Sequence, residues 1–418
     1  MSENKVSIIG AGITGIFTAL YLKKAGYQVS LFDKSDGMDN CSYGNAGMIV
    51  PSHVIPLASP GMISKGLRWM LKRDSPFYIR PRLDTDLIKW GLAFRKNSTQ
   101  EHVERAGAIL HHLLTRSRHL YSEFNEEADF DFGFTEKGLY IFCNSEKGLD
   151  SEIRDAEQAN RLGVRTEVLS AEDVAERIPG LQLNIKGGVH YPDDAHMHPG
   201  LLMDGLKKWL AGRDVTFHYQ TEVTFLERSR DRILRLKTAD GRTYESGHFI
   251  LCNGVWSHQL GKTVGKNLLM QGGKGYSMTL QNPPHLPDIC GILSERKVTF
   301  TPMAGNLRVA GTMEIAGSDI TANPVRVESI KKAVCDYMPQ FRMTDFSNAR
   351  VWAGLRPIAP DGMPYAGRSR DYKNLYISTG HAMMGMSLAP ACGQLITDLI
   401  TTGSSELSHP LISPDRFR

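Results

Sequence analysis

The chain has 418 residues, 41% of them hydrophobic and 22% charged, the balance of a soluble globular protein rather than a disordered or fibrous one. That length exceeds one ordinary core and predicts two domains. A net charge of +4, from 49 basic and 45 acidic residues scattered along the chain, lacks the dense basic block that tracks nucleic-acid phosphates. The six cysteines, Cys41, Cys143, Cys252, Cys290, Cys335 and Cys392, stand far apart with no CxxC pair and no metal-ligand spacing. They argue against a disulfide framework or a zinc site and for a reducing compartment. The opening MSENKVSIIGAG has no basic n-region or cleavage site, and no apolar run approaches about 18 residues. The expectation is a cytoplasmic protein, neither exported nor membrane-spanning, with docking on a membrane surface left open.

In chain order the first element is the β-branched run Val6, Ile8, Ile9, read as a buried parallel strand, followed by Gly10, Gly12 and Gly15 in the spacing GxGxxG. The first glycine permits a tight turn, the second lets backbone approach a pyrophosphate, and the third lets helix pack on strand. A helix over Ile16 to Ala25, a turn at Gly26 and a second strand Val29 to Phe32 follow. Asp33 closes that strand 18 residues beyond Gly15, near the offset of about 20 at which an acid meets the adenosine ribose. Together these predict a dinucleotide site, FAD or NAD, with the acid arguing against NADP.

Residues 40–61 are rich in Gly, Pro, Ser and Asn and predict a long functional loop. Apolar spacing predicts helices over 84–127, a strand at Tyr140–Phe142, a helix-rich stretch at 151–177 and a helix from Pro199 to Leu210. Strands are expected at 215–219 and 232–238, then a hairpin feeding the buried strand of FILCNG. Residues 274–281 and 298–312 alternate like sheet strands. The middle of the chain therefore reads as an antiparallel sheet inserted into the dinucleotide domain, and the C-terminal part as a glycine-rich loop and a helix over 388–400 with Ser387 as its N-cap.

Five ordered segments, the fingerprint to Asp33, SYGNAGMIVPS, FILCNGVWS, KGYSMTL and the pair WAGLRPIAPDGMPYAG with NLYISTGHAMMGMSLAPACGQLI, resemble the FAD-dependent D-amino-acid oxidase family, and most closely its bacterial D-amino-acid dehydrogenases. The resemblance implies an α/β fold with antiparallel β: a Rossmann-like FAD-binding domain over 1–80, 193–260 and 350–418, and a substrate-binding cap over 81–192 and 261–349. It implies non-covalent FAD, since no His flanks the NAG loop and Cys392 lies inside a helix. The implied FAD contacts are Gly10, Gly12, Ile13, Thr14, Gly15, Asp33, Lys34, Ser42, Asn45, Ala46, Gly47, Met48, Val223, Asn253, Gly254, Trp256, Gly354, Arg356, Gly380, Met384, Gly385, Met386 and Ser387, with Thr221 to Val223 near the adenine. Asn253 stands where the family more usually has alanine. The start of the last helix is a positive terminus able to stabilise negative charge on a reduced flavin.

The resemblance also implies oxidation of an amino acid at Cα by hydride transfer, with Arg356 anchoring the carboxylate through its fork, unless it is paired with a carboxylate such as Asp361. Tyr276 either shares that carboxylate or packs in the core. Among His53, His196, His198 and His381, His53 is the one to test as a catalytic base, because its loop runs off the flavin contact. Met383, Met384 and Met386 either line an apolar side-chain pocket or pack around the flavin. The implied activity is oxidative deamination of a D-amino acid with electrons leaving to a quinone or another acceptor; D-hydroxyproline or D-proline oxidation, and a glycine- or sarcosine-type oxidase releasing hydrogen peroxide, are neighbouring alternatives. An electron-carrying flavoprotein subunit and an NAD enzyme are the readings of a different class. Substrate side chain, oligomeric state and membrane docking stay open.

Overall fold

A computed structural model describes residues 3–38, 40–70 and 74–417. Two large sheets organise them. The first has six strands in the order Tyr365–Arg368, Leu375–Thr379, His248–Leu251, Lys5–Ile9, Gln28–Phe32, Thr216–His218, parallel except for the antiparallel first pair. Register places Ile8 between Ile250 and Leu31, so the strand before the glycine loop is central and flanked by two apolar neighbours. Successive strands depart in opposite directions from Lys5–Ile9, which opens a crevice at their C-terminal ends.

Helix Ile13–Lys24 is apolar around most of its circumference and is buried accordingly. It crosses the C-terminal helix Gly385–Thr401 where a Cβ on Gly393 would come within 2.9 Å of Phe17 backbone, so that glycine sets the distance between the two helices. Helix Gln100–Glu127 covers the same core through Leu110, Leu114 and Tyr121, whose hydroxyl donates to Met386 O at 2.9 Å.

The second sheet has nine strands. Its path runs Val351–Ile358, Gln271–Leu280, Asn306–Ile315, Val298–Met303, Cys290–Leu293, Leu139–Cys143, Gly187–Tyr191, Glu167–Ser170, and Phe77–Ile79 pairs with the end of Asn306–Ile315. Most pairs are antiparallel, but Cys290–Leu293 runs parallel to Leu139–Cys143, and Phe77–Ile79 parallel to Met313–Ile315, which makes the sheet mixed. Helix Pro324–Tyr337 packs Ile330 and Val334 against Tyr276, Phe300 and Val309. The strands Phe77–Ile79 and Val351–Ile358, which the expected boundaries at 80 and 350 put with the dinucleotide domain, are hydrogen-bonded into this larger sheet. Backbone pairing across long sequence separations decides that membership, and residue composition does not reveal it.

Candidate active site

A cavity of ≈ 1490 Å³ runs from the glycine loop to the larger sheet. That exceeds the roughly 300–1,000 Å³ of a pocket for one drug-sized ligand, so it takes a long cofactor and a small molecule together. At one end stand Gly10, Gly12, Ile13, Thr14, Asp33, Lys34, Thr221, Val223, Asn253, Gly254 and Trp256. Gly10 has φ +107 and its Cβ would strike Cys252 O at 2.5 Å; a Cβ on Gly15 would sit 2.0 Å from Gly10 O. Gly12 differs, because its Cβ direction is open apart from Ser42 Oγ at 3.4 Å. The second glycine thus faces free space, where a pyrophosphate needs close backbone approach. Asp33 Oδ2 accepts from Ala11 N at 2.8 Å, and Oδ1 from Ser35 N and Oγ, so the acid shapes the glycine loop as well as bordering the cavity. Lys34 Nζ lies 3.8 Å from the centroid of Trp256, closing this end with a cation over an aromatic face.

The loop from Asn40 to Met48 forms the middle wall. Ser42 Oγ accepts from Ile13 N at 2.9 Å, capping the first helix in place of Gly12, which has no side chain to do so. Asn45 Oδ1 accepts from Gly47 N at 2.8 Å, and Gly47 has φ +76 with Met197 O only 2.2 Å from where its Cβ would be, so no other residue fits. Arg308, from the larger sheet, donates to Tyr43 O at 2.6 Å and Asn45 O at 2.8 Å, and burial pushes its guanidinium down to about 10. Ser387 is not an N-cap: the helix begins at Gly385, after Met384. Its hydroxyl instead donates to Met48 O and accepts from Val50 N, each at 3.1 Å, and so ties the loop to the last helix. A serine in the first turn of a helix finds these partners because the loop passes alongside.

Arg356 stands on Val351–Ile358, which pairs Gly354 with Gly275 and Arg356 with Gly273. The guanidinium lies over Gly275, where a Cβ would come within 2.0 Å of Nη1, and Nη1 donates to Thr312 O at 2.7 Å. Trp352, two pairs of residues earlier on the same face, fills the space over Gly354 and Gly44, whose Cβ atoms would meet its ring at 2.0 and 2.3 Å. Burial holds Arg356 below its ordinary pKa, and among the described residues no carboxylate is within ion-pair reach of it. Asp361, the alternative partner, is taken by Arg416 in a bidentate pair at 2.7 and 3.0 Å. A half-buried guanidinium without a counterion is costly, and it leaves a fork available to an anion entering the cavity.

Tyr276 borders the same cavity, and its hydroxyl is held by partners within the sheet. Its ring belongs to the core under the sheet, and its hydroxyl donates to Glu314 Oε2 at 3.0 Å and accepts from Asn323 N at 3.2 Å. Glu314 is itself paired with Lys274 at 3.2 Å and with Arg326, so the phenol completes a buried charged cluster. The bulge between Lys274 and Tyr276, absent from any alternation pattern, turns the strand here.

His53 and His381 border the cavity, and burial pushes each imidazole down to about 4. His198 caps helix Pro199–Ala211 by accepting from Leu201 N, and buried His196 lies on the short strand paired with Met48. Met383, Met384, Gly385 and Met386 line the wall beside His381, whereas Gly380, with φ +77, only turns the chain toward it. Sequence reasoning missed Trp352 and Arg308. The glycines at 44, 275 and 354 are the signal for a large flat group above them, but only their juxtaposition makes it readable.

A family model described as DAO: FAD dependent oxidoreductase matches residues 5–399. The chain belongs to this family. It is 30% identical over 422 residues to a protein named D-amino acid dehydrogenase from Methylobacterium nodulans, with 99% of each covered, and 29% identical over 405 residues to one so named from Helicobacter pylori, with 97% and 96% covered. Among solved structures, glycine oxidase from Geobacillus kaustophilus superposes with a TM-score of 0.76 at 21% identity over 99% and 98% of the chains. L-proline dehydrogenase from P. horikoshii gives 0.73 at 19%, over 99% and 97%. These share the fold. The family's cofactor is FAD, and the residues present fit it: open space over Gly12, the positive end of the first helix, and a glycine-lined wall leading to Arg356.

Proposed function

We propose that this FAD dependent oxidoreductase oxidises a D-amino acid at Cα to an imine, which hydrolyses to the 2-oxo acid and ammonia. FAD, when bound, supplies the hydride acceptor. The chain's part is to place the reacting C–H bond. Arg356, half-buried in the cavity wall with no carboxylate partner among the described residues, carries the reading: its fork takes the α-carboxylate bidentately, and Gly275 beneath it leaves room for the guanidinium to lie flat. Met384 and Met386 give the adjacent wall an adaptable apolar surface for the side chain. Full-length similarity to proteins named D-amino acid dehydrogenase supports the D-series. Anaerobic mixing of the purified protein with D-, L- and imino acids, followed by flavin absorbance, tests it. Bleaching by D-amino acids with slow recovery in air and fast recovery with a quinone analogue is expected. Bleaching by glycine or sarcosine with immediate recovery in air would replace the reading with an oxidase.

The electrons go to a quinone dissolved in an anionic bilayer, which the protein meets from outside. Among the described residues no helix is long and apolar enough to cross a membrane. Residues 62–96 carry nine basic and three acidic side chains, a net +6 where the whole chain has +4. Within the same stretch Ile63 and Leu67, then Ile88 and Leu92, are exposed apolar pairs one helical turn apart. Apolar side chains among lysines and arginines suit an anionic lipid surface. The helix bearing the first pair also borders the cavity through Met62, Lys65 and Trp69.

A further inference from the structure

We infer that Asp194, Ser52 and His53 form a proton relay that receives the ammonium proton of the substrate. This deepens the amino-acid reading and rests on it: hydride leaves Cα readily only when the nitrogen lone pair is free, so the zwitterion that binds must first lose a proton.

The relay is continuous. Asp194 is fully buried, and its carboxyl has two partners: Ser52 N donates to Oδ1 at 3.0 Å and Ser52 Oγ to Oδ2 at 2.5 Å. Ser52 Oγ is also 3.1 Å from His53 Nδ1, and Ser52 and His53 both line the cavity. Among the described residues Asp194 has no ion pair, an expensive arrangement for a structural acid. The neighbouring charges are few. His53 feels Lys297 and Glu152, with Lys65 and Asp155 beyond them; Asp194 feels Asp193 and, more weakly, Arg118, with Tyr191 and Cys290 beside it. Burial keeps His53 neutral, with a ring nitrogen able to accept.

The proton moves in three transfers without a co-reactant. The substrate ammonium gives a proton to His53 Nε2, His53 Nδ1–H passes one to Ser52 Oγ, and the Ser52 hydroxyl passes its own to Asp194 Oδ2. A cation and a carboxylate become an amine and a carboxylic acid. Removing both charges favours the transfer in a site of low dielectric. Burial raises Asp194 to about 8, so at pH 7 only its ionised minority accepts, and the relay gains strength as pH climbs through 8.

The test is the rate of anaerobic flavin bleaching by a D-amino acid at pH 7 and at pH 10 for the holoenzyme and its Asp194→Asn and Ser52→Ala variants. Ser52→Ala keeps the backbone donor to Asp194, so it decides the matter if the first variant folds poorly. The expected result is a loss of roughly 10-fold at pH 7, a general acid–base contribution of about 100-fold reduced by the minority of Asp194 ionised there, that shrinks to a few-fold or less at pH 10, where the amine arrives neutral. Equal losses at both pH values would mean that Asp194 only pins the loop, and wild-type rates at pH 7 would also overturn the relay. If no amino acid bleaches the unaltered enzyme, the amino-acid reading fails instead.

Discussion

Replacing Arg356 by methionine separates two roles that a half-buried arginine can play. The guanidinium has one protein acceptor, Thr312 O, and no carboxylate partner among the described residues. Losing one side of a desolvated, hydrogen-bonded charge pair costs about 2–5 kcal/mol, so a value of about 3 corresponds to roughly a 150-fold loss in kcat/KM for the amino acid. The same change removes a half-buried charge that has no carboxylate partner among the described residues, so the Tm of the substrate-free protein should hold. Stopped-flow bleaching across substrate concentrations, flavin content from the absorbance spectrum and a thermal melt measure all three. Arg356→Lys should recover little, because an ammonium cannot present the parallel donors of the fork. A loss under fivefold, or a Tm that drops with the flavin content, would refute the carboxylate anchor and make Arg356 a structural residue.

Gly275→Ala places a Cβ 2.0 Å from Arg356 Nη1, and steady-state kinetics should show about 100-fold weaker turnover of dilute substrate with flavin content unchanged. Asp361→Asn strips Arg416 of its buried carboxylate and should cost about 3 kcal/mol in urea unfolding, without altering turnover per bound flavin. Burial holds His53, His196 and His381 at about 4, so the unfolded chain binds more protons between that value and 6.5, and the urea midpoint should fall as pH drops through this window. His196→Gln should flatten that fall. Asp194 acts in the opposite sense: raised to about 8, it adds stability that is full below its unfolded value near 3.8 and is lost as pH climbs from there to 8, and Asp194→Asn should remove that decline. Co-sedimentation with phosphatidylglycerol vesicles, but not with phosphatidylcholine vesicles, is expected and should vanish in Leu67→Glu; binding equal to both would refute the anionic-surface reading.

The nucleotide end was legible because it is local. Strand, glycines, helix and acid lie within 30 residues, so their spacing carries the motif even though the backbone that crowds Gly10 is that of distant Cys252. Arg356 was singled out by the family resemblance and the fork its guanidinium presents, and the structure sets it in the cavity wall with Thr312 O as acceptor. What stayed hidden is assembled across distance. Ser42 caps a helix 29 residues before it, and Arg308 reaches a loop more than 260 residues earlier. Ser387, in contrast, looked like a cap because serine before an apolar run is the usual signature, yet the helix starts two residues sooner and the hydroxyl serves another segment. The partners of the Tyr276 hydroxyl, Glu314 and Asn323, stayed hidden because a strand's alternation cannot report the bulge beside it.

Arg308 makes the cofactor wall hang from the other half of the molecule. Its two hydrogen bonds to Tyr43 O and Asn45 O are the kind that vanish together when the larger sheet frays, leaving the loop without its support. Release of yellow colour on heating therefore reports the integrity of the substrate-side sheet before it reports the glycine loop. A destabilising change far from any flavin contact should first show itself as an enzyme that bleeds its cofactor.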